Sequence, residues 1–143
     1  MSAAEKCRLY ARLFAELDPA GQCDCLLELG LAAPQPPARL LTEENRIAGC
    51  RTAVWAAAAC RNGRVEAWLH SDSALVRGVM QIFREIYAGC TPGEIRAVPP
   101  AWLDAVSDQV LYPEIKQNGL WKCYLRMAFL EHTENTKERI KPL

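Results

Sequence analysis

The sequence predicts an α+β fold, with helices from both ends of the chain packed on a small antiparallel sheet. Three observations lead there. Apolar residues recur at three- and four-residue steps near both ends, Asn62-Gly63 separates two apolar runs in the middle, and capping residues, prolines and glycines punctuate the helical stretches.

Taken in order, Tyr10, Leu13, Phe14 and Leu17 make one apolar helical face. Asp18-Pro19 then supplies an N-cap with proline at the first helical position, and Gly30 follows Leu26, Leu27 and Leu29 as the expected stop of a second helix. Residues 31 to 44 carry Pro34, Pro36 and Pro37 and read as an extended connection. Asn45 to Ala48 is a short strand candidate, broken at Gly49-Cys50. Thr52 to Cys60 is the next, and Asn62-Gly63 turns it into Arg64 to Ser71. In that last run Val65, Ala67 and Leu69 point one way while Glu66, Trp68 and His70 point the other. Ala56 to Ala59 favour helix intrinsically, so the strand there rests on the hairpin turn. Three strands joined in sequence form an antiparallel meander.

Helices follow. Asp72 or Ser73 caps one that carries Leu75, Val76, Val79, Met80, Ile82, Phe83, Ile86 and Tyr87 and ends at Gly89. Thr91-Pro92-Gly93-Glu94 has the capping-box pattern. Pro99-Pro100 starts a short helix through Trp102, Leu103 and Val106, and a final helix is expected over about Pro113 to His132. The expected organisation is a single domain over 1–143, with its core at about 5–130 and a polar tail at 133–143.

Of the 143 residues, 50% are apolar and 24% charged, which excludes wholesale disorder. Seventeen basic residues balance seventeen acidic ones, so the chain has no general attraction for nucleic acid or anionic lipid, and neither is expected as a partner. The longest apolar run, Ala53 to Cys60, falls far short of the roughly 18 residues of a membrane helix. Charge at Glu5, Lys6 and Arg8 stands where a signal peptide needs apolar residues, so reduced thiols and a cytoplasmic location are expected.

No Gly-rich phosphate loop, strand-borne GxGxxG or GxSxG elbow is present. Chemistry is to be sought in the thiols. Cysteines 7, 23, 25, 50, 60, 90 and 123 include no CxxC pair, and Cys23 and Cys25 are the only close ones. A tetrahedral zinc site would need two more ligands from far away, so most of these thiols read as small core residues. Cys50 differs, because it follows Gly49 in a sharp break with Arg46 and Arg51 nearby. A thiol on a turn can project from the fold, and neighbouring guanidinium groups favour the thiolate that attacks sulfur electrophiles.

The run Glu44-Asn45-Arg46-Ile47-Ala48-Gly49-Cys50-Arg51-Thr52-Ala53-Val54-Trp55 resembles the signature of the SufE-type sulfur acceptors, CsdE proteins included. There N-x-[IV]-x-G-C-x-[ST]-x-V-W surrounds the persulfide-forming cysteine. Ser71-Asp72-Ser73-Ala74-Leu75-Val76-Arg77-Gly78, Tyr87-x-Gly89-x-Thr91-Pro92-x-Glu94-Ile95 and Asn118-Gly119-Leu120 continue the resemblance in order, over roughly 5 to 130.

The resemblance implies a SufE/NifU-like fold with a three-stranded meander. It also implies that Cys50 takes sulfur from a PLP-dependent cysteine desulfurase of the SufS/CsdA type and stimulates that enzyme. The sulfur then passes to an iron–sulfur scaffold of the SufBCD type or, in the CsdE branch, to a different sulfur pathway. No cofactor or metal of the chain's own is implied. Homodimers occur in the family, and the sequence leaves this chain's oligomeric state open. Arg51, Asp72 and Lys116 are the supporting or partner-contacting candidates. Two departures stand out: Leu69-His70-Ser71-Asp72 replaces the family's G-D-S-D, and Tyr112-Pro113-Glu114-Ile115-Lys116 replaces S-P-S-R, leaving Lys116 in place of an arginine.

Two competing readings are an IscU-like metal-binding scaffold and an interaction module with incidental thiols. Other residues have plainer roles on offer. Trp55 is expected in the core, His70 toward solvent or a sheet neighbour, and Arg77 and Arg84 on a solvated helix face. Asp72 serves equally as a cap, and Trp121 as a core or docking aromatic.

Overall fold

The structure is a computed structural model that describes residues 1–111 and 119–130. The start of the expected final helix, Lys116 and the 133–143 tail lie outside the described residues. Helix α1 (Ala3–Glu16) is closed at its start by a capping box, with the Ser2 hydroxyl accepting from the Glu5 amide and the Glu5 carboxylate accepting from the Ser2 amide. It buries Phe14 against Trp102, with 5.5 Å between ring centroids. Tyr10 and Leu17 are half-buried, and Leu13 faces out.

Helix α2 (Pro19–Ala32) begins as expected, with Asp18 accepting from the Gly21 amide at 2.7 Å and Pro19 in the first turn. It does not stop at Gly30. Helix α3 (Ala74–Tyr87) crosses it so closely that a Cβ on Gly30 would stand 1.8 Å from the Ala74 carbonyl oxygen, and one on Gly78 2.0 Å from that of Leu26. Two glycines thus let two backbones touch, and Gly30 is a packing residue inside the helix.

Strands β1 (Val54–Arg61) and β2 (Arg64–Ser71) pair antiparallel from Val54 opposite Ser71 to Arg61 opposite Arg64. Asn62 (φ 52°) and Gly63 (φ 78°) both take the left-handed conformation of a two-residue hairpin turn. Val54, Ala56, Ala58, Cys60, Val65 and Leu69 face the helices. Ala57 and Ala59 line the other face beside Leu40 and Trp68. Small side chains suit a strand covered on both faces, and burial overrides their helix preference.

Among the described residues the expected third strand shrinks to one bridge, Arg46 opposite Trp55, with the Ile47 amide bonded to the Val54 carbonyl at 2.8 Å. A 3₁₀ turn at Glu43–Asn45 precedes it and left-handed Gly49 (φ 87°) follows, so no extended backbone remains for a second bridge.

Ser73, not Asp72, caps α3 through its hydroxyl. Helix α4 (Pro92–Arg96) starts with the Thr91–Glu94 capping box, and a 3₁₀ turn follows over Ala101–Ala105. Helix α5 (Leu120–Ala128) packs on α4 and the sheet, burying Leu120, Cys123, Tyr124 and Met127. None of the described helices is long and apolar enough to cross a membrane.

Candidate functional site

The bond between Ile47 and Val54 closes the base of a short loop, residues 48 to 53, that carries Cys50. Arg126 on α5 fixes both flanks, its guanidinium donating to the Asn45 carbonyl at 3.1 Å and the Ala56 carbonyl at 2.9 Å. Lys122, one turn earlier, donates to the Ala48 carbonyl at 2.9 Å. Left-handed Gly49 then reverses the chain, and Cys50 follows half-buried.

The Cys50 thiol is turned inward against Gly119. A Cβ on that glycine would lie 2.4 Å from Cys50 Sγ, so the sulfur fills a notch that no other residue type would leave. Buried Cys123 stands one helical turn beyond Gly119, near enough for the two thiols to interact electrostatically. Burial, with a smaller contribution from Cys50, pushes the Cys123 thiol up to about 12. Burial also raises Cys50 above the ordinary thiol value, against the opposing charges of Lys122 and Arg46. The local arginines alone point to a thiolate; the notch reverses the sign, because desolvation outweighs two partly solvated cations.

Of the other sequence candidates, Arg51 is exposed at the next position on the loop. Asp72 is exposed at the end of β2, its amide bonded to the Ala53 carbonyl at 3.3 Å, which brings it to the same end of the sheet as the loop. Lys116 lies outside the described residues. Trp55 is not a core residue: it lies on the face away from the helices, 5.7 Å from the His70 ring, with the Arg46 guanidinium 5.9 Å from its centroid. His70 is buried there, and burial lowers its pKa, helped by Arg77 and opposed by Asp72. Arg77 and Arg84 are both engaged, Arg77 with the Gly30 and Ser71 carbonyls and Arg84 over the Trp68 ring.

An open groove of about 600 Å³ runs beside the loop, lined by Arg46, Ala48, Lys122, Leu125, Arg126 and Phe129 among others. A hollow of about 640 Å³ lies elsewhere, beside Trp121 and Asp104, and among the described residues no cysteine or histidine lines it. Trp121 is partly exposed at its edge and packs on Tyr124 at 5.1 Å. All seven cysteines are free thiols, and among the described residues no three His, Cys, Asp or Glu side chains converge to hold a metal.

Gly119, Lys122, Arg126 and the proximity of Cys123 are absent from the sequence reading of the site. Asn118-Gly119-Leu120 is the only signal near them, and it says nothing about what the glycine touches.

Comparison with known proteins gives three findings. The family described as SufE, Fe-S metabolism associated domain, matches residues 9–129. A SufE-like protein of Synechocystis sp. is 29% identical over 83 residues, 58% of this chain and 52% of that protein, so the match spans about half the relative's length. The solution structure of a hypothetical protein from Thermus thermophilus superposes with a TM-score of 0.69 over 97% of this chain and 98% of that one, at 22% identity. That last likeness is one of fold.

Proposed function

The chain belongs to the SufE family, associated with iron–sulfur metabolism, and on that premise we propose that Cys50 accepts persulfide sulfur from a PLP-dependent cysteine desulfurase and passes it on for cluster assembly. The observation that carries this reading is the setting of Cys50: a half-buried thiol on a glycine turn, tucked into the Gly119 notch beside a cationic groove.

The chemistry is two thiol exchanges. The Cys50 thiolate attacks the outer sulfur of the donor's persulfide; a new S–S bond forms at Cys50, the donor's S–S bond breaks, and its electron pair leaves on the donor cysteine as thiolate. A recipient thiolate then attacks the outer sulfur now on Cys50, and Cys50 departs as thiolate. No net oxidation occurs and neither step calls for a cofactor on this chain, PLP belonging to the donor enzyme.

The notch and the loop divide the task. At rest, burial keeps Cys50 protonated and away from stray electrophiles. Swinging out about Gly49 restores solvent and frees the thiolate at the partner's surface, a two-state step that docking can drive. Arg51 and Asp72, exposed at the loop end of the sheet, and Lys116 are the partner-contacting candidates. Cys123, kept neutral by burial, does not attack the persulfide from inside.

The test is desulfurase turnover with the cognate enzyme, cysteine and PLP. The wild-type chain accelerates alanine release and Cys50→Ser does not. Equal acceleration by both would overturn the acceptor role and favour an interaction module.

A further inference from the structure

We propose that Lys122 is a positioning residue for Cys50: its ammonium ties the Ala48 carbonyl, and with it the Gly49–Cys50 turn, to α5 and places a positive charge beside the thiol. The proposal deepens the acceptor reading and rests on it for the sulfur-transfer consequence alone.

The geometry comes from two sides. Lys122 Nζ donates to the Ala48 carbonyl at 2.9 Å, joining positions 74 residues apart in sequence. A Cβ on Gly49 would stand 3.5 Å from the same nitrogen, so the ammonium sits directly over the turn that delivers Cys50. Among the described residues, Arg51 is exposed at the next loop position, and Arg126, Arg46 and Cys123 are committed elsewhere or uncharged. Arg126 donates to the Asn45 and Ala56 carbonyls. Arg46 pairs with Glu43 at 3.6 Å and lies against Trp55. Cys123 is a buried neutral thiol.

Of the charges that oppose burial at Cys50, Lys122 acts more strongly than Arg46. A lysine suits the task because its ammonium sits on a long flexible stem and can follow the sulfur as the loop opens.

The two roles have opposite signatures, which separates them from a merely structural one. Charge sets the pH midpoint of Cys50 reactivity; the tether sets the rate once the thiol is fully ionised. Iodoacetamide alkylation of the chain alone, read on the Cys50 peptide by mass spectrometry across pH, measures both. Lys122 is exposed, so Lys122→Met keeps the core intact and a melting curve checks it.

Lys122→Met is expected to move the midpoint upward, lowering alkylation at pH 7 by about three- to tenfold relative to its own plateau. Its plateau rate exceeds that of the wild type, and Lys122→Arg keeps the wild-type midpoint. An unchanged midpoint in Lys122→Met overturns the charge role, and an unchanged plateau overturns the tether. Sulfur uptake from a cysteine desulfurase is measured on the same proteins. If Lys122→Met shifts the alkylation profile while even the wild type takes up no sulfur, the Lys122 inference stands and the acceptor reading falls.

Discussion

Replacing Gly119 by alanine tests the notch directly. Gly119 is the N-cap of α5 with right-handed backbone angles (φ −73°, ψ −52°), so alanine fits the backbone without strain but gains no interior helix propensity. The new Cβ lands 2.4 Å from Cys50 Sγ. Non-bonded carbon and sulfur close to about 3.5–4.0 Å, so the sulfur must retreat by about 1.1–1.6 Å, and moving to another staggered rotamer is the cheapest route. The thiol then loses packing worth about 1 kcal/mol, and stability stays within about that much of the wild type. Its reactivity does not. Burial is the main force raising the Cys50 pKa, so expulsion returns the thiol toward its ordinary value while Lys122 and Arg46 still favour the thiolate. Each unit of return is a tenfold gain in thiolate below the midpoint. Alkylation of the Cys50 peptide at pH 7 should rise about tenfold in Gly119→Ala, with a melting temperature within a few degrees of wild type. An unchanged or slower rate would refute the claim that Gly119 shelters the thiol.

Further consequences concern packing, pH and the second thiol. Gly78→Ala drives a Cβ into the Leu26 carbonyl and should cost about 3 kcal/mol, lowering the urea midpoint by about 1 M or more, whereas Gly93→Ala, with no atom nearer than 3.7 Å, should be within about 0.5 kcal/mol of wild type. Equal midpoints for the two variants would contradict the close α2–α3 crossing. The folded pKa of His70 lies below its unfolded value of about 6.5, so the unfolded chain binds the extra proton first. Stability should therefore fall as pH drops from about 6.5 toward the folded value, then level off, and His70→Gln should remove that slope from denaturant titrations across pH. Cys123 should resist alkylation at pH 8 until the chain unfolds, and sulfur-loaded protein should show no Cys50–Cys123 disulfide on peptide mapping.

What the sequence disclosed is what is encoded locally. The Thr91 cap, the Asn62-Gly63 hairpin and the start of α2 at Asp18-Pro19 each depend on neighbours within four residues and appear as read, and Ser73 takes the cap that the sequence left between it and Asp72. The third strand failed as an element because a candidate of four residues, squeezed between a 3₁₀ turn and left-handed Gly49, has room for one bridge. Gly30 reads as a stop until α3 is seen lying against it. Trp55 is large and apolar, yet period-two alternation with Val54 and Ala56 inside puts it on the opposite face, next to His70. At the site, Gly49-Cys50 and its flanking residues marked the thiol. What surrounds the thiol comes from α5, brought in by tertiary folding, and so neither the Gly119 notch nor the Lys122 tether has a local signature. Burial by that helix is also why Cys50 rests as a thiol despite its basic neighbours.

The central claim is that Cys50 carries sulfur, and locating that sulfur tests it most directly. The chain is incubated with its cognate cysteine desulfurase, PLP and cysteine, trapped by alkylation, digested and weighed peptide by peptide, with Cys50→Ser alongside. One extra sulfur on the Cys50 peptide, absent from the variant, is the predicted result. Sulfur on another cysteine, or none on a chain that demonstrably binds an active desulfurase, would contradict it.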